Sequence, residues 1–391
     1  MTTQDSYAPT IMPVPAHVKG PSLVRLTDFW MLGSSIFLLS LGTVMIYSAS
    51  AVRAFSQHGN GTRYLLQHLA SVFIGLVLLA IVLRVPSEWW SRLAYPLLAV
   101  VILALIAVLV PGVGRRANGA LRWLVLGPVS FQPSEVAKLA IIVYLAHSLA
   151  RKRERVSSFS IGFVPHVVVT SLVVGLIILE PDLGTGVVIY GTLGLMLFAA
   201  GTRIGYLVLT IVVAVPVAYH YVVTHPHAAA RLTVFMNPEA YKHDIGYQVW
   251  ESIVAFGSGG WTGLGLGAGQ QKLYFLPESH TDFIFSVIGQ ELGFVGVVPV
   301  IVAYAILVGR GLWLSSKMTC RFPMFLAFGL SSWIGIQAFT NMAVALALLP
   351  TKGMTLPLVS FGRSSIVVML VGVGILLRLH AEARAVEGVK A

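Results

Sequence analysis

One segment of the chain places acidic and imidazole side chains directly before an apolar helix. Residues 276–293 read LPESHTDFIFSVIGQELG, in which Glu278, His280 and Asp282 precede the apolar run. Asp282 could cap the helix by accepting backbone N–H bonds. A carboxylate that faces cations at the mouth of a helix bundle also suits a general base, which would activate a hydroxyl nucleophile against a phosphate-bearing donor. Both interpretations are open from these residues alone.

A second pair of ionisable residues lies within an apolar run. In QPSEVAKLA, Glu135 and Lys138 are three residues apart and therefore share one helical face. Charged groups at membrane depth are costly and normally pair with each other or line a cavity. The spacing is compatible with a structural ion pair between helices and with a pair that lines a substrate site.

Cations and an aromatic ring cluster just before that helix. RRANGALRWLVLG contains Arg115, Arg116, Arg122 and Trp123, a combination suited to binding a phosphate or a sugar. Trp and Arg also anchor proteins at lipid headgroups, which explains the same residues nearly as well.

A segment broken by proline and glycine follows a polar helical face. Gln337 and Asn341 share that face, and LPTKGMTLPLVSFGRSS then supplies Lys352, Arg363, Ser364 and Ser365. Irregular backbone at membrane depth is tolerated where it lines a cavity. We therefore expect this segment to border one.

Two further motifs have both functional and structural interpretations. In LEPDLGTG, Glu180 and Asp182 could bind a divalent cation or cap the next helix. The glycine run at 257–269, which leads to Lys272, resembles a phosphate loop but has no preceding strand and no Gly-Lys-Ser/Thr. It is either a turn held by small residues or a ligand-lining segment.

The composition is that of a membrane protein. Of 391 residues, 57% are hydrophobic and 10% are charged, whereas a soluble domain is about a quarter charged. The single cysteine, Cys320, excludes an internal disulfide and thiolate metal sites. Although the net charge is +11, the basic residues lie in short loops where membrane orientation explains them, so no nucleic-acid partner is expected.

These motifs must be positioned by membrane-spanning helices. Runs long enough to cross about 30 Å of hydrocarbon predict an all-α polytopic integral membrane protein with about ten transmembrane helices, near 29–47, 68–83, 93–110, 133–149, 161–179, 183–200, 204–223, 283–308, 324–348 and 362–379. The predicted division is a cytoplasmic tail at 1–28, a membrane domain at 29–380 and a second cytoplasmic tail at 381–391.

The distribution of Lys and Arg predicts the orientation. With both termini in the cytoplasm, 15 of the 26 Lys and Arg lie on the inner side and 10 on the outer side. Most of the outer ones lie in three loops, at 111–132, 224–282 and 349–361. The second, a large extracytoplasmic loop between helices seven and eight, is too long for a connector and should have ordered structure of its own.

Four motifs, in this order on such a chain, resemble the SEDS family (shape, elongation, division and sporulation). They are QPSEVAKLA, LEPDLGTG, GLGLGAGQQKLYFLPESHTDFIFSVIGQELG and LPTKGMTLPLVSFGRSS, and the similarity extends over about residues 25–380. The Thr351-Lys352-Gly353 loop resembles the division branch more than the elongation branch. Phe361 and Arg363 depart from the family pattern Ser-Tyr-Gly-Gly-Ser-Ser, and Arg363 would either add a phosphate contact or loosen the loop.

The resemblance implies a peptidoglycan glycosyltransferase of the bacterial inner membrane that polymerises lipid II outside the membrane. It implies an undecaprenyl pyrophosphate leaving group, a class B penicillin-binding protein as partner, and other divisome membrane proteins at the division septum. The family aspartate falls on Asp282, as general base for the 4-hydroxyl of the acceptor sugar, with His280 orienting or tuning it. The substrate-binding candidates are Arg115, Arg116, Arg122, Trp123, Glu135, Lys138, Lys272, Lys352, Ser364 and Ser365.

Two other functional classes fit the same features. A lipid II flippase would also need ten helices, intramembrane charges and cation-lined cavities, and a non-catalytic scaffold could recruit the division machinery. The clustering of catalytic-looking groups at the outer face favours the enzyme. No cofactor is certain, and a divalent cation, Mg or Mn, is the one candidate.

Overall fold

The molecule is a bundle of long helices with a small sheet at one end. The computed structural model describes residues 28–390 except 118–119, 127–128, 272–275 and 277. The helices are α1 (Phe29–His58), α2 (Arg63–Val82), α3 (Ser87–Leu109), α4 (Pro133–Lys152), α5 (Val164–Leu179), α6 (Leu183–Ala199), α7 (Ile204–Thr224), α8 (Pro226–Met236), α9 (Tyr247–Gly259), α10 (Ile284–Lys317), α11 (Arg321–Ala345) and α12 (Arg363–Lys390). A 3₁₀ turn (Arg153–Ser157) and a π-helical turn (Phe159–Phe163) join α4 to α5.

Each of the ten predicted apolar runs overlaps one helical segment and extends no more than three residues beyond its ends. Eight described helices are long and apolar enough to cross a membrane, α1 to α3, α5 with its π turn, α7, and α10 to α12. Of the other two, α6 has only 17 residues and α4 carries Glu135, Lys138, Arg151 and Lys152. The polytopic helical class is confirmed, while the number of crossings and the domain boundaries stay predictions.

Helix α4 tolerates its charges because protein surrounds it. It packs against α3, α6 and α11, and nearly all of its side chains from Pro133 to Ala150 are buried. Polar groups cost less where other helices offer them partners than where they face lipid. The low hydrophobicity of α4 therefore reflects a central position.

The first outer loop contains a three-stranded antiparallel sheet that the sequence analysis did not anticipate. The strands are β1 (Gly114–Ala117), β2 (Ala120–Leu126) and β3 (Val129–Phe131), in the order β1-β2-β3. The register places Arg115 opposite Trp123, and a bulge separates Arg115 from Arg116. Cations and an aromatic ring are thus displayed on a folded surface.

The large outer loop is ordered where it is described. It contains α8 and α9, and α9 packs along α10. Ser252 on α9 contacts Ser286 on α10, and its hydroxyl also donates to the carbonyl of Ala345 at 2.6 Å. These bonds attach α9 to the start of α10 and to the end of α11.

One polar contact ties together the opposite ends of α1 and α10. Asp28 caps α1 by accepting from the backbone N–H groups of Trp30 and Met31 at 3.0 and 3.1 Å. Its other oxygen accepts from Arg310 Nε at 2.7 Å. The start of α1 and the last third of α10 therefore lie at the same level of the bundle.

Candidate active site

Asp282 does not cap the helix that follows it. Helix α10 begins at Ile284, and Phe283 occupies the capping position without a side-chain bond. The side chain of Asp282 is partly exposed. The capping interpretation of Asp282 is therefore wrong, and the carboxylate must be explained in another way.

The backbone around Asp282 is held from behind by the third outer loop and by α11. Phe361 N–H donates to the carbonyl of His280 at 2.9 Å, and the Ser360 hydroxyl donates to the carbonyl of Thr281 at 2.5 Å. Asn341 Nδ2 donates to the carbonyl of Asp282 itself at 2.9 Å. Three consecutive residues are thus positioned through their carbonyls, which leaves the carboxylate oxygens for other partners.

The same loop lies directly against the carboxylate. A Cβ atom added at Gly353 would come within 3.3 Å of Asp282 Oδ2, and Asn341 Nδ2 also donates to the carbonyl of Met354. A single amide thus positions both the loop and the acidic segment. The backbone of Gly353, which follows Lys352 in the chain, therefore lies beside the predicted base.

The surroundings set the charge state of Asp282. Burial, with smaller contributions from the negative charges of Glu278 and Asp182, raises the pKa of its carboxyl to about 7, even though Arg231 and Arg122 act to lower it. A base is most useful when its pKa lies near the working pH. The carboxyl is therefore poised to be ionised near neutrality and to accept a proton.

Two arginines act on this carboxylate, and Lys352 lies within reach of one of them. Arg122 and Arg231 act on the Asp282 charge, and burial together with the charge of Arg231 lowers the pKa of Lys352. Like charges brought this close favour an anionic ligand between them. Arg231 lies in the predicted outer loop at 224–282, but it was not selected from the sequence, because α8 has no motif that indicates where its side chains lie.

Arg122 also has a structural role. Its Nε donates to the carbonyl of Glu180 at 2.8 Å, and its Nη2 donates to the carbonyl of Pro181. These bonds attach β2 to the turn between α5 and α6. Asp182 in that turn caps α6, accepting from Thr185 N at 3.1 Å and from the Thr185 hydroxyl at 2.9 Å, so capping explains it.

His280 is packed in an aromatic cluster. The imidazole is buried, and its ring centroid lies 4.9 Å from that of Tyr64 and 5.6 Å from that of Phe361. Burial lowers its pKa to about 4, so the ring is neutral at physiological pH. Phe361, where the family has tyrosine, completes this packing, and a positioning role for His280 stays a prediction.

Glu135 and Lys138 form a closed ion pair. Lys138 Nζ lies 2.9 Å from Glu135 Oε2, with both side chains buried. The ammonium also donates to Gln337 Oε1 at 3.0 Å and lies 5.7 Å from the centroid of the Trp333 ring. Gln337 Nε2 donates to the carbonyl of Thr355 at 3.0 Å. These contacts favour the structural interpretation, in which the pair supports the third outer loop.

The remaining candidates lie in different surroundings. Ser364 accepts from Gln132 N–H at 3.0 Å, which attaches α12 to the segment before α4. The Ser365 hydroxyl lies 2.8 Å from that of Thr355, which attaches α12 to the third outer loop. Arg363 lies over the Trp123 ring at 5.8 Å, beside Arg115. Lys272 lies outside the described residues, as does the side chain of Arg116.

The metal prediction has no support from the side chains that the structure describes. Within the described ranges, no three His, Cys, Asp or Glu side chains are grouped so that they could hold a metal ion. Glu180 and Asp182 do not form such a group, since Asp182 is used as a cap. The divalent cation therefore stays a prediction.

Known proteins resemble this chain over nearly its whole length. The profile of the FtsW/RodA/SpoVE family, described as cell cycle protein, matches residues 29–385. A probable peptidoglycan glycosyltransferase FtsW of Legionella pneumophila is 41% identical over 364 residues, which cover 92% of each chain. The corresponding protein of Trichlorobacter lovleyi is 42% identical over 354 residues, covering 90% of this chain and 93% of the relative.

Solved structures show the same architecture. A chain from a peptidoglycan synthase complex that coordinates polymerization and crosslinking superposes with a TM-score of 0.76 at 29% identity, covering 91% of this chain and 98% of its own. The rod shape determining protein RodA of Thermus thermophilus superposes with a TM-score of 0.67 at 28% identity, covering 90% and 96%. The chain therefore belongs to the FtsW/RodA/SpoVE family of cell cycle proteins, which is the SEDS family that its motifs indicated.

Proposed function

We propose that this chain polymerises lipid II into septal glycan strands and that Asp282 is the general base of the reaction. The chain is a multi-pass peptidoglycan glycosyltransferase of the bacterial inner membrane. One observation carries the finer assignment. The carbonyls of His280, Thr281 and Asp282 each accept one hydrogen bond, which fixes this segment, while the Asp282 carboxyl group is partly exposed and lies within the field of two arginines.

The proposed step is a substitution at the anomeric carbon of the donor sugar. Asp282 takes the proton of the acceptor 4-hydroxyl as that oxygen forms its bond to the donor anomeric carbon. The bond from that carbon to the pyrophosphate oxygen breaks, and undecaprenyl pyrophosphate leaves with the electron pair. Partial desolvation suits Asp282 to this role because it raises the pKa to about 7.

The cations around Asp282 would stabilise the leaving group. Arg122 and Arg231 lie close enough to lower the pKa of Asp282, and Arg231 lies close enough to lower that of Lys352. Charges that are already in position stabilise developing negative charge without reorganisation. The Arg122 Nε and Nη2 groups already bind carbonyl oxygens. Lys352 and Arg231 are therefore the stronger candidates for pyrophosphate, with Arg122 held behind them.

The level of Asp282 in the bundle supports chemistry at the membrane surface. Ser279, three residues before Asp282, donates to the carbonyl of Ala49 on α1 at 3.3 Å, and about 20 residues of α1, or roughly 30 Å of helix, separate Ala49 from Phe29, against about 30 Å for the hydrocarbon core. With the Asp28–Arg310 level at the cytoplasmic face, as the Lys and Arg distribution favours, the Asp282 segment lies at the outer edge of the hydrocarbon core. An impermeant thiol reagent should then label Ser56→Cys in intact cells, and labelling only after lysis would reverse the orientation.

The competing function is transport of lipid II across the membrane. The purified protein and its class B penicillin-binding protein partner, in detergent with lipid II, separate the two because polymerisation needs no bilayer whereas flipping does. We expect glycan polymer in detergent. Absence of polymer from a folded, partner-bound protein that moves lipid II across vesicles would establish the transporter, and inactivity in both assays would favour a scaffold.

The partner assignment has structural support from one relative. The solved complex that superposes on this chain is a peptidoglycan synthase that coordinates polymerization and crosslinking. We propose that this chain likewise acts with a class B penicillin-binding protein, together with other membrane proteins of the division septum. Co-purification of the two proteins, with a rise in polymerisation when they are combined, would test the pairing.

A further inference from the structure

An exposed apolar patch joins a loop outside the membrane-spanning helices to the first part of α10, which qualifies as a span. It is formed by the glycine-rich loop, residues 260–267, and the adjacent part of α10. Trp261, Leu264 and Leu266 are 74%, 48% and 61% exposed, and Phe294 and Val295 on α10 are 53% and 63% exposed. The ring centroids of Trp261 and Phe294 lie 5.2 Å apart, so loop and helix present one continuous surface.

The loop is fixed rigidly to α10. Backbone N–H groups of Leu264 and Gly265 donate to the carbonyls of Gln290 and Glu291, and those of Phe294 and Val295 donate to the carbonyls of Gly260 and Trp261, all at 3.0 Å. Gly267 N–H donates to Glu291 Oε2 at 3.0 Å. These bonds bridge the kink of α10 at Gly293, where φ is 63°. The loop cannot turn its apolar side chains inward without breaking this ladder.

Glycine is required for this attachment. Gly263 has a φ of 79°, and a Cβ atom there would lie 2.2 Å from the Glu291 carbonyl oxygen. A larger residue would push the loop away from the helix. The exposed side chains at Trp261, Leu264 and Leu266 are therefore displayed by a backbone built to hold them in place.

The level of the loop can be measured along two helices from one reference point. Asp28 and Arg310 join α1 and α10 near one end, and Ser48 joins them again by donating to Glu291 at 2.7 and 2.9 Å. Phe29 to Ser48 and Arg310 to Glu291 each span about 19 residues, or roughly 28 Å of helix. Both measurements place Glu291, and the loop bound to it, at the edge of a hydrocarbon core about 30 Å thick.

We propose that the glycine-rich loop is a membrane-interface anchor that inserts Trp261, Leu264 and Leu266 among the lipids of the leaflet nearest Asp282. The exposed apolar stripe of α10 supports a lipid occupant, because Val298, Ile301 and Val302 are exposed on a helix that qualifies as a membrane span and continue the patch along it. Tryptophan is favoured at the membrane interface. The anchor would hold the Asp282 end of α10 at a constant height above the bilayer.

Site-specific labelling tests the anchor. In a Cys320→Ala background, Leu264→Cys or Leu266→Cys carries an environment-sensitive fluorophore in nanodiscs of phosphatidylethanolamine and phosphatidylglycerol. Ser56→Cys is the matched control, since Ser56 is exposed and lies about 27 residues, roughly 40 Å, along α1 from Phe29, beyond the hydrocarbon. Retained lipid II polymerisation or a monodisperse elution profile shows that each variant is folded.

The expected result is quenching of the loop probes by nitroxide lipids, stronger for a nitroxide near the headgroup than for one at the chain end, with little quenching by iodide. The Ser56 probe should show the reverse. Equal quenching by iodide of the loop probes and the Ser56 probe, in nanodiscs without partner or substrate, would overturn the anchor. So would shielding that arises only when the class B penicillin-binding protein or lipid II is added, because the occupant would then be a protein or the substrate chain.

Discussion

Two regions of the molecule keep ionisable side chains within an apolar bundle, and they do so in opposite ways. In the interior, the Glu135–Lys138 pair is closed at 2.9 Å and is extended by Gln337. At the outer end, Asp282 is held through its carbonyl, and no hydrogen bond from another described residue reaches its carboxylate. Glu135 and Lys138 neutralise each other in the interior, whereas the Asp282 carboxylate remains available to a ligand.

The difference shows how a functional charge can be recognised in a membrane protein. A buried pair needs neutralisation and further hydrogen bonds because an unpaired charge in a low dielectric is costly. A catalytic group needs a fixed position and free oxygens, so its backbone is bound and its side chain is not. The two regions are connected, since Gln337 binds Lys138 and also the loop that lies against Asp282.

The largest expected effect is at the open carboxylate. Asp282→Asn keeps the size and the backbone bonds but removes the basicity, so lipid II polymerisation should fall by about 100 to 10,000-fold. Membrane insertion and partner binding should be unchanged, and both are measured by co-purification. Polymerisation near the wild-type rate would remove the distinction between the two regions, and Glu278, Glu251 and Glu135 would become the next candidates for the base.

Substitutions in the Glu135–Lys138 pair should lower the free energy of unfolding and leave the catalytic step intact. Glu135→Gln or Lys138→Met alone leaves one buried charge unpaired, which typically costs about 3 to 5 kcal/mol in free energy of unfolding. The double variant should be milder because both charges are gone. Thermal unfolding in detergent and polymerisation are the two measurements. A double variant that folds normally but makes no glycan would show that the pair contacts substrate.

The pH dependence of the rate should report the open carboxylate. Because burial raises the Asp282 pKa to about 7, the base is protonated below that pH and ionised above it. The polymerisation rate should therefore fall about tenfold per pH unit below 7 and level off above it. Glu278→Gln removes a like charge and should shift the midpoint to lower pH. A flat profile from pH 5 to 8 would contradict this assignment.

The smallest effect is expected at a second carboxyl of the outer end. Glu180 is fully buried, and neither of its carboxyl oxygens has a hydrogen-bond partner among the described residues. Burial raises its pKa to about 8, with Asp182 adding to the shift, so the group is mostly protonated at neutral pH. Glu180→Gln closely imitates that neutral form and should change the polymerisation rate by no more than about twofold. A loss comparable to that of Asp282→Asn would mean that the ionised form of Glu180 takes part in the reaction.

Much of the outer site could be anticipated from its residues, and some of it could not. Asp282, Arg122 and Lys352 were selected from the sequence. In the structure Arg122 acts on the charge of Asp282, and Lys352 interacts with Arg231, which also acts on Asp282. Arg231 was not selected, because only the position of α8 brings its charge near Asp282. Glu135 and Lys138 were correctly paired by their spacing, but the choice between ion pair and substrate site depended on Gln337, about 200 residues away.

The helical membrane architecture was determined by the sequence itself, because the length of an apolar run decides whether a helix can cross a bilayer and every backbone group is then satisfied locally. The tertiary structure decided which carboxylate stays open. Asn341 binds the carbonyl of Asp282 from 59 positions away, Phe361 binds the carbonyl of the neighbouring His280, and the like charge of Asp182 acts on Asp282 from an earlier turn of the chain. The short sheet at 114–131 also depended on tertiary structure, since strands of 3 to 7 residues are stable only when they pair with one another and pack on neighbouring helices.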